Sequence, residues 1–233
     1  MKLLALDTST EACTAALWLD GEILERFEYA PRGHAGLILP MFDALLAEAG
    51  VRLGELDAIA FGRGPGSFTG VRIGTAVAQG AALAADLPLA PVSTLAALAQ
   101  HAANITGASR IASAIDARMG EIYAAYYRRG DDGLCVLDGV ERVCRAAEWT
   151  PPTIDVWLGA GTGWATYGEC LVAAFGPCLQ RTLPDCLPHA GALAMLGAAM
   201  VARGETIAPD LAQPVYLRDQ VTHQSRAEEK KAP

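Results

Sequence analysis

The sequence predicts an α/β protein built as two related units, each a mixed sheet carrying helices. Three observations lead there. Apolar runs of strand length alternate with longer segments whose apolar residues recur at helical spacing. A glycine-dense stretch, Phe61-Gly62-Arg63-Gly64-Pro65-Gly66-Ser67-Phe68-Thr69-Gly70-Val71-Arg72-Ile73-Gly74, joins one such run to one such segment. Two strand-like runs, far apart in the chain, each end in an aspartate followed by a polar turn and another strand, at Asp7 and at Asp116.

Residues 2–6 read as a buried strand, with Asp7-Thr8-Ser9-Thr10 as the turn behind it. Residues 12–19 and 22–29 read as two further strands joined at Asp20-Gly21, a pair suited to a tight hairpin. After Pro31-Arg32-Gly33, the pairs Leu37/Ile38, Met41/Phe42 and Leu45/Leu46 repeat every four residues and mark one broad helix face. Pro40 removes a backbone donor, so this helix is expected to start near it or to kink there. Residues 56–61 form the next strand, and 71–85 a second helix beyond the glycine stretch. Composition changes at Pro88-Leu89-Ala90-Pro91. Ser93-Thr94 then offers a cap for a helix through Ala103, ended by Asn104-Ile105-Thr106-Gly107.

The second unit is expected to hold strands at 111–115, 122–127 and 134–137, with Asp116-Ala117-Arg118-Met119-Gly120-Glu121 between the first two. Val156-Trp157-Leu158 runs into Gly159-Ala160-Gly161-Thr162-Gly163-Trp164. A late apolar helix, 190–201, is expected to return to the first unit. The division is therefore an N-terminal subdomain 1–106 joined by the helix 190–203, a C-terminal subdomain 107–189, and a flexible tail 219–233, polar and charged from Gln224 on.

With 233 residues, 52% hydrophobic and 19% charged, the chain is long enough for one large domain or two small ones sharing an interface. No apolar run reaches the roughly 18 residues of a membrane span, and the N-terminal run meets Asp7 too early for a signal-peptide core. The six cysteines are scattered without a C-x-x-C pair and read as buried thiols; a cytosolic protein is expected. The net charge is −8, and the basic residues are spread thinly, with Lys230-Lys231 in the tail. Such a chain should bind nucleic acid poorly by itself, and any RNA chemistry it serves would need a partner's basic surface.

The glycine stretch supports two readings. Backbone N–H groups ahead of a helix N-terminus can hold an anion, and a tight strand-to-helix joint needs the same residues. Neither the Gly-Lys-Ser/Thr of a phosphate loop nor any lysine is present, which excludes an ordinary phosphate-loop NTPase. Ser67 lies in no Gly-x-Ser-x-Gly elbow, so a serine hydrolase fails too. Asp7 is read as a carboxylate accepting N–H bonds in its own turn, against the alternative of a metal or phosphate ligand. His34 reads as a helix-entry hydrogen bond or a remnant of an active site. Asp116 and Arg118 read as an ion pair across a turn or as a phosphate-positioning pair. The glycines 159–163 read as a bare turn or as a loop lying against adenine, and Cys13 as a buried thiol. Gly70, Gly74 and Ala78 repeat at i+4, with Ala81 continuing a strip of small residues that lets another element approach closely.

Taken in order, several motifs resemble the TsaB (YeaZ) family of bacterial proteins that act in making threonylcarbamoyladenosine in tRNA. They are Leu4-Ala5-Leu6-Asp7-Thr8-Ser9-Thr10, His34 ahead of Leu39-Pro40, Gly64 to Gly74, Asp116-Ala117-Arg118 with Glu121 to Tyr123, Gly159-Ala160-Gly161, and Pro214-Val215-Tyr216-Leu217-Arg218. The resemblance spans nearly the whole chain. It implies an actin/Hsp70-like (ribonuclease H-like) fold of two subdomains. It also implies a non-catalytic partner of TsaD, the catalytic paralogue, with TsaE as a further member of the complex.

The family's first two helices pair with those of TsaD, or with a second copy in a homodimer. That would place Leu37, Ile38, Met41, Phe42, Leu45, Gly70, Gly74, Ala78 and Ala81 at the interface. Asp7, His34, Gly64, Gly66, Ser67 and Arg72 would form a nucleotide-binding or structural loop beside it. No catalytic residue and no metal site are expected. TsaD carries His-x-x-x-His after its second helix, where this chain has Val92-Ser93-Thr94-Leu95-Ala96-Ala97-Leu98. No cofactor is expected, with ATP or ADP only at the interface with TsaD. The alternative is a metal-independent ATPase or sugar-kinase-like enzyme, or a glycoprotease-like enzyme, of the same fold. Against these stand the missing histidine pair and the missing glycine in the Asp7 turn.

Overall fold

β1 (Lys2–Asp7), β2 (Ala12–Leu19) and β3 (Glu22–Tyr29) form an antiparallel meander. The β2–β3 hairpin closes through Asp20 at φ 50° and Gly21 at φ 106°, left-handed positions that aspartate and glycine tolerate. The chain then crosses through α1 (His34–Ala49) to β4 (Ala58–Gly62), which lies parallel to β1. A second crossover, α2 (Phe68–Ala85), leads to β5 (Leu89–Val92), parallel to β4. The resulting sheet has the order β3-β2-β1-β4-β5.

After α3 (Thr94–Thr106) the same path is traced again, by β6 (Arg110–Arg118), β7 (Glu121–Arg129), β8 (Cys135–Arg145), β9 (Trp157–Ala160) and β10 (Leu179–Leu183). This second sheet has the order β10-β9-β6-β7-β8. Short helices α4 (Thr162–Thr166) and α5 (Gly168–Phe175) lie between β9 and β10, and α6 (Ala190–Ala202) comes last. The chain thus adopts the α/β class and the two repeated units expected above. The structure is a computed structural model describing residues 1–218, so the expected tail 219–233 lies outside the described residues. Among the described residues no helix is long and apolar enough to cross a membrane.

Each half is finished by a helix contributed from the other side. α3 leaves the first sheet but packs on β6, β7 and β8, burying Leu95, Leu98, Ala99 and Ala102 there. α6 packs on β1, β2, β4 and β5 through Ala190, Leu193 and Ala194. The two helices also touch each other. A subdomain boundary at residue 106 therefore assigns α3 to the wrong sheet. The reason is mechanical: α3 is the connection, and its apolar face meets the sheet it leads into.

α1 and α2 cover the opposite face of the first sheet. Ile38, Met41, Phe42 and Leu45 are at most 7% exposed and pack with Leu4, Leu6, Leu17, Ile59 and Phe61. α1 begins at His34, six residues before Pro40, so it does not start near that proline but carries it inside, past the first turn. α2 begins at Phe68, where Ser67 Oγ accepts the Gly70 N–H at 3.1 Å, and α3 is capped likewise by Ser93 on Ala96.

Candidate functional site

The Asp7 turn is closed by its neighbours. Asp7 is 1% exposed; its Oδ1 accepts the Ser9 N–H at 2.6 Å and its Oδ2 accepts the Thr94 hydroxyl at 3.0 Å. Burial pushes its carboxyl above the usual 3.8, with the bonds from Ser9 and Thr94 opposing. Gly62 provides the room, since a Cβ there would lie 2.1 Å from Asp7 Oδ2. The turn-holding carboxylate expected from the sequence is what Asp7 is. Thr94, within the segment compared above with a histidine motif, ties that turn to α3.

The glycine stretch is built for contact with this turn. A Cβ on Gly66 would meet the Ser9 carbonyl oxygen at 2.2 Å, and one on Gly70 would meet that of Thr8 at 2.1 Å. Gly74 faces Thr8 Oγ1, which would stand 2.8 Å from a Cβ at that position, and Thr8 Oγ1 donates to the Gly70 carbonyl at 2.8 Å. The Ser67 N–H donates to Ser9 O at 2.7 Å. Gly64, at φ 97°, is backed by Val215, whose N–H donates to Arg63 O at 2.8 Å. The strip Gly70, Gly74, Ala78 thus seats the Asp7 turn and the core, and Ala81 is half-buried beside it. Its small residues do not open onto solvent.

His34 and Cys13 are structural as well. His34, the first residue of α1, is 6% exposed and its Nε2 donates to the Thr10 carbonyl at 2.8 Å, the helix-entry bond. Burial pushes the Cys13 thiol up to about 11, so it is no nucleophile at neutral pH.

The second aspartate turn is satisfied differently. Asp116 Oδ1 accepts from the Arg118 N–H at 2.8 Å and from the Tyr167 hydroxyl at 3.1 Å, and Oδ2 pairs with the Arg118 guanidinium at 3.0 Å. Arg118 also reaches Glu11 of the first half at 3.7 Å. Gly161 and Gly163 pack on Ala114, and Gly159 on Trp164, so these glycines serve the interior rather than an open loop.

Between the two turns lies a cleft of about 1120 Å³, lined by Ser9, Thr10, Glu11, Arg32, Ser67, Phe68, Arg72, Asp116, Arg118, Tyr123, Thr162, Tyr216 and Arg218 among others. Of the expected loop residues, Gly66, Ser67 and Arg72 line it, and Asp7, His34 and Gly64 do not. Arg32, Tyr123 and Tyr216 come from distant parts of the chain, and no local pattern links them. Among the described residues no three His, Cys, Asp or Glu side chains converge as a metal site would require.

The helix faces need a correction. Ile38, Met41, Phe42 and Leu45 were expected at a partner interface, but they are interior because a sheet of this width needs that whole face to cover it. Gly70, Gly74 and Ala78 are interior for the reason given above. Leu37 is half-buried. What α1 and α2 leave outward is another stripe, mostly small or apolar: Gly36, Leu39, Pro40, Ala44 and Ala47 around Asp43 on α1, and Ala76, Gly80, Leu83 and Ala84 on α2, with the exposed charges Glu48 and Arg72 on the same helices. Leu39 is 52% and Leu83 65% exposed.

Comparison with known proteins adds relatives to this geometry. Residues 27–223 match the family model of TsaD, tRNA N6-adenosine threonylcarbamoyltransferase. The chain is 43% identical over 229 residues to the tRNA threonylcarbamoyladenosine biosynthesis protein TsaB of Escherichia coli, covering 95% of this chain and 96% of that one. It is 40% identical to the TsaB protein of Haemophilus influenzae, with 95% of each covered. The crystal structure of YeaZ from Pseudomonas aeruginosa superposes with a TM-score of 0.87 at 47% identity, over 93% of this chain and 99% of that one.

Proposed function

This chain belongs to the TsaB (YeaZ) family, within the wider group that the TsaD model describes, and from that premise we propose a non-catalytic role in tRNA threonylcarbamoyladenosine synthesis. In this reading the chain docks TsaD in the cytoplasm through the outward stripe of α1 and α2, and TsaE joins the pair. TsaD then transfers the threonylcarbamoyl group to the adenosine beside the anticodon. Without TsaD the same stripe pairs two copies of this chain, and any nucleotide is held only where the chain meets TsaD.

The observation that carries the reading is the contrast between a closed site and an open face. Asp7, His34 and Cys13 are buried in structural bonds or desolvated, so none is poised for acid–base or nucleophilic work. Leu39 and Leu83, by contrast, stand exposed among alanines and glycines on two neighbouring helices, a surface that a partner's helices can approach closely.

Calorimetric titration of the purified chain with TsaD tests it. Leu83→Asp places a charge in a contact that must desolvate, so affinity should fall by ~100-fold or more while the melting temperature holds. Wild-type affinity for Leu83→Asp, or full modification of tRNA by TsaD and TsaE with this chain omitted, overturns the assignment.

A further inference from the structure

We propose that the cleft between the two sheets seats an unpaired nucleotide of the RNA substrate, with Arg32 and Arg72 holding phosphate and Tyr123 and Tyr216 flanking the base. The inference rests on the tRNA role proposed above and gives this chain its own contact with the substrate.

Charge points to the cleft first. In a chain of net charge −8, four arginines (Arg32, Arg72, Arg118 and Arg218) line this one opening against two carboxylates, Glu11 and Asp116. Both carboxylates lie within 4 Å of Arg118, at 3.7 and 3.0 Å. Arg218 bonds Glu121 and donates to the Ala117 carbonyl at 3.0 Å. Arg32 and Arg72 have no carboxylate partner among the described residues. Among the described residues, two cations without a carboxylate partner therefore face one cavity.

Arg72 is also held in place. Its guanidinium lies 3.2 Å from the Phe68 ring centroid and 4.9 Å from that of Tyr216, and it donates to the Phe68 carbonyl at 2.9 Å. A guanidinium stacked this way keeps the rest of its N–H edge for a phosphate. Tyr123 and Tyr216 belong to the same lining. Arginine beside aromatic faces is how unpaired RNA is gripped, because every base has a π-face and every linkage a charge.

The geometry favours a strand over a compact polyphosphate. The Asp7 and Asp116 turns bond to themselves, and the Ser67 and Gly70 N–H groups are already taken by Ser9 O and Ser67 Oγ. Neither of those two N–H groups is open to a phosphate. Arg32 and Arg72, without a carboxylate partner among the described residues, are instead exposed on the lining, one in the turn before α1 and one on α2, placed to meet a sugar–phosphate backbone crossing it.

The test is fluorescence anisotropy of a labelled anticodon stem-loop RNA, titrated with the full chain in complex with TsaD, and with the full chain alone at low salt. The Arg32→Ala/Arg72→Ala pair should weaken binding by ~10-fold or more and flatten the slope of log affinity against log salt by about 0.7 per arginine. Tyr123→Ala should weaken it and Tyr123→Phe restore it, while Arg52→Ala, on an exposed helix turn, should change nothing. Unchanged RNA affinity and salt slope in the double variant overturn the proposal. ADP binding that is lost in the double variant while RNA binding persists overturns it in favour of a free mononucleotide. TsaD affinity, titrated separately in the same variants, reports on the docking role: its loss with intact RNA dependence on the cleft arginines sinks the docking, not the cleft.

Discussion

At the end of β1, Asp7 is wedged against Gly62, bonded to Ser9 and Thr94, and sealed from water. At the matching place in β6, Asp116 lines the cleft and takes an arginine and a tyrosine hydroxyl as partners. The strand order around the two is the same. Their crossovers are not: the first sheet carries two long helices of 16 and 18 residues, the second a single turn and two short helices of 5 and 8. A repeated topology fixes where an aspartate stands, and packing around it decides its work. The first half has become a stiff platform for two helices, while the second keeps an ion-paired turn facing the cavity.

The largest effect that would break this contrast is expected at the helices. Met41→Asp buries a charge among Leu6, Leu17 and Phe61 and should cost several kcal/mol, enough to unfold the first half. Val172→Asp on α5, at a side chain 48% exposed, should stay within about 0.5 kcal/mol. Urea denaturation measures both, and a mild Met41→Asp would mean that α1 is not sealed onto the sheet.

A smaller effect separates two glycines. Gly62→Ala forces a methyl into the Asp7 carboxylate and should cost ~3 kcal/mol or more in the same assay. Gly168→Ala, with nothing within 4 Å of the new methyl, should raise stability by up to ~1 kcal/mol. Equal outcomes would show that the Asp7 turn can shift.

Much of this was legible in the chain. The β2–β3 pair was readable from its runs and from Asp20-Gly21, α1 from its four-residue repeat, and the α3 cap from Ser93. The strip Gly70, Gly74, Ala78 signalled close approach correctly but could not say to what; it meets Thr8, far earlier in the chain, where helix-to-helix contact was expected. β5 escaped because four residues containing Pro91 show no period, and β8 was read only at its start, 134–137, because the rest of an exposed edge strand does not alternate cleanly. The cleft escaped because Arg32, Arg72, Tyr123 and Tyr216 meet only through the fold.

The smallest effect concerns the aspartates themselves. Because the Asp7 carboxyl is raised by burial, the folded state keeps a proton that the unfolded chain has lost. Its contribution therefore makes stability fall as pH rises through the window above 3.8. Asp7→Asn keeps the Ser9 bond through its Oδ1, and denaturation across pH should show a flatter profile than wild type in that window. A steeper one would contradict the buried reading. Asp116→Asn loses a pair whose arginine is 76% exposed, and should cost less than about 1 kcal/mol, an effect that salt erodes further.

α6 covers β1, β2, β4 and β5, yet it is made after every strand of both sheets. On the ribosome, the first sheet is therefore complete by Val92 but keeps one apolar face bare until Ala202 has emerged. At ordinary translation speeds that interval is on the order of ten seconds, during which Leu3, Ala5 and Ala60 await a cover. The nascent chain is thus most open to chaperones, and to aggregation, until α6 has emerged, and it commits to its native state only then.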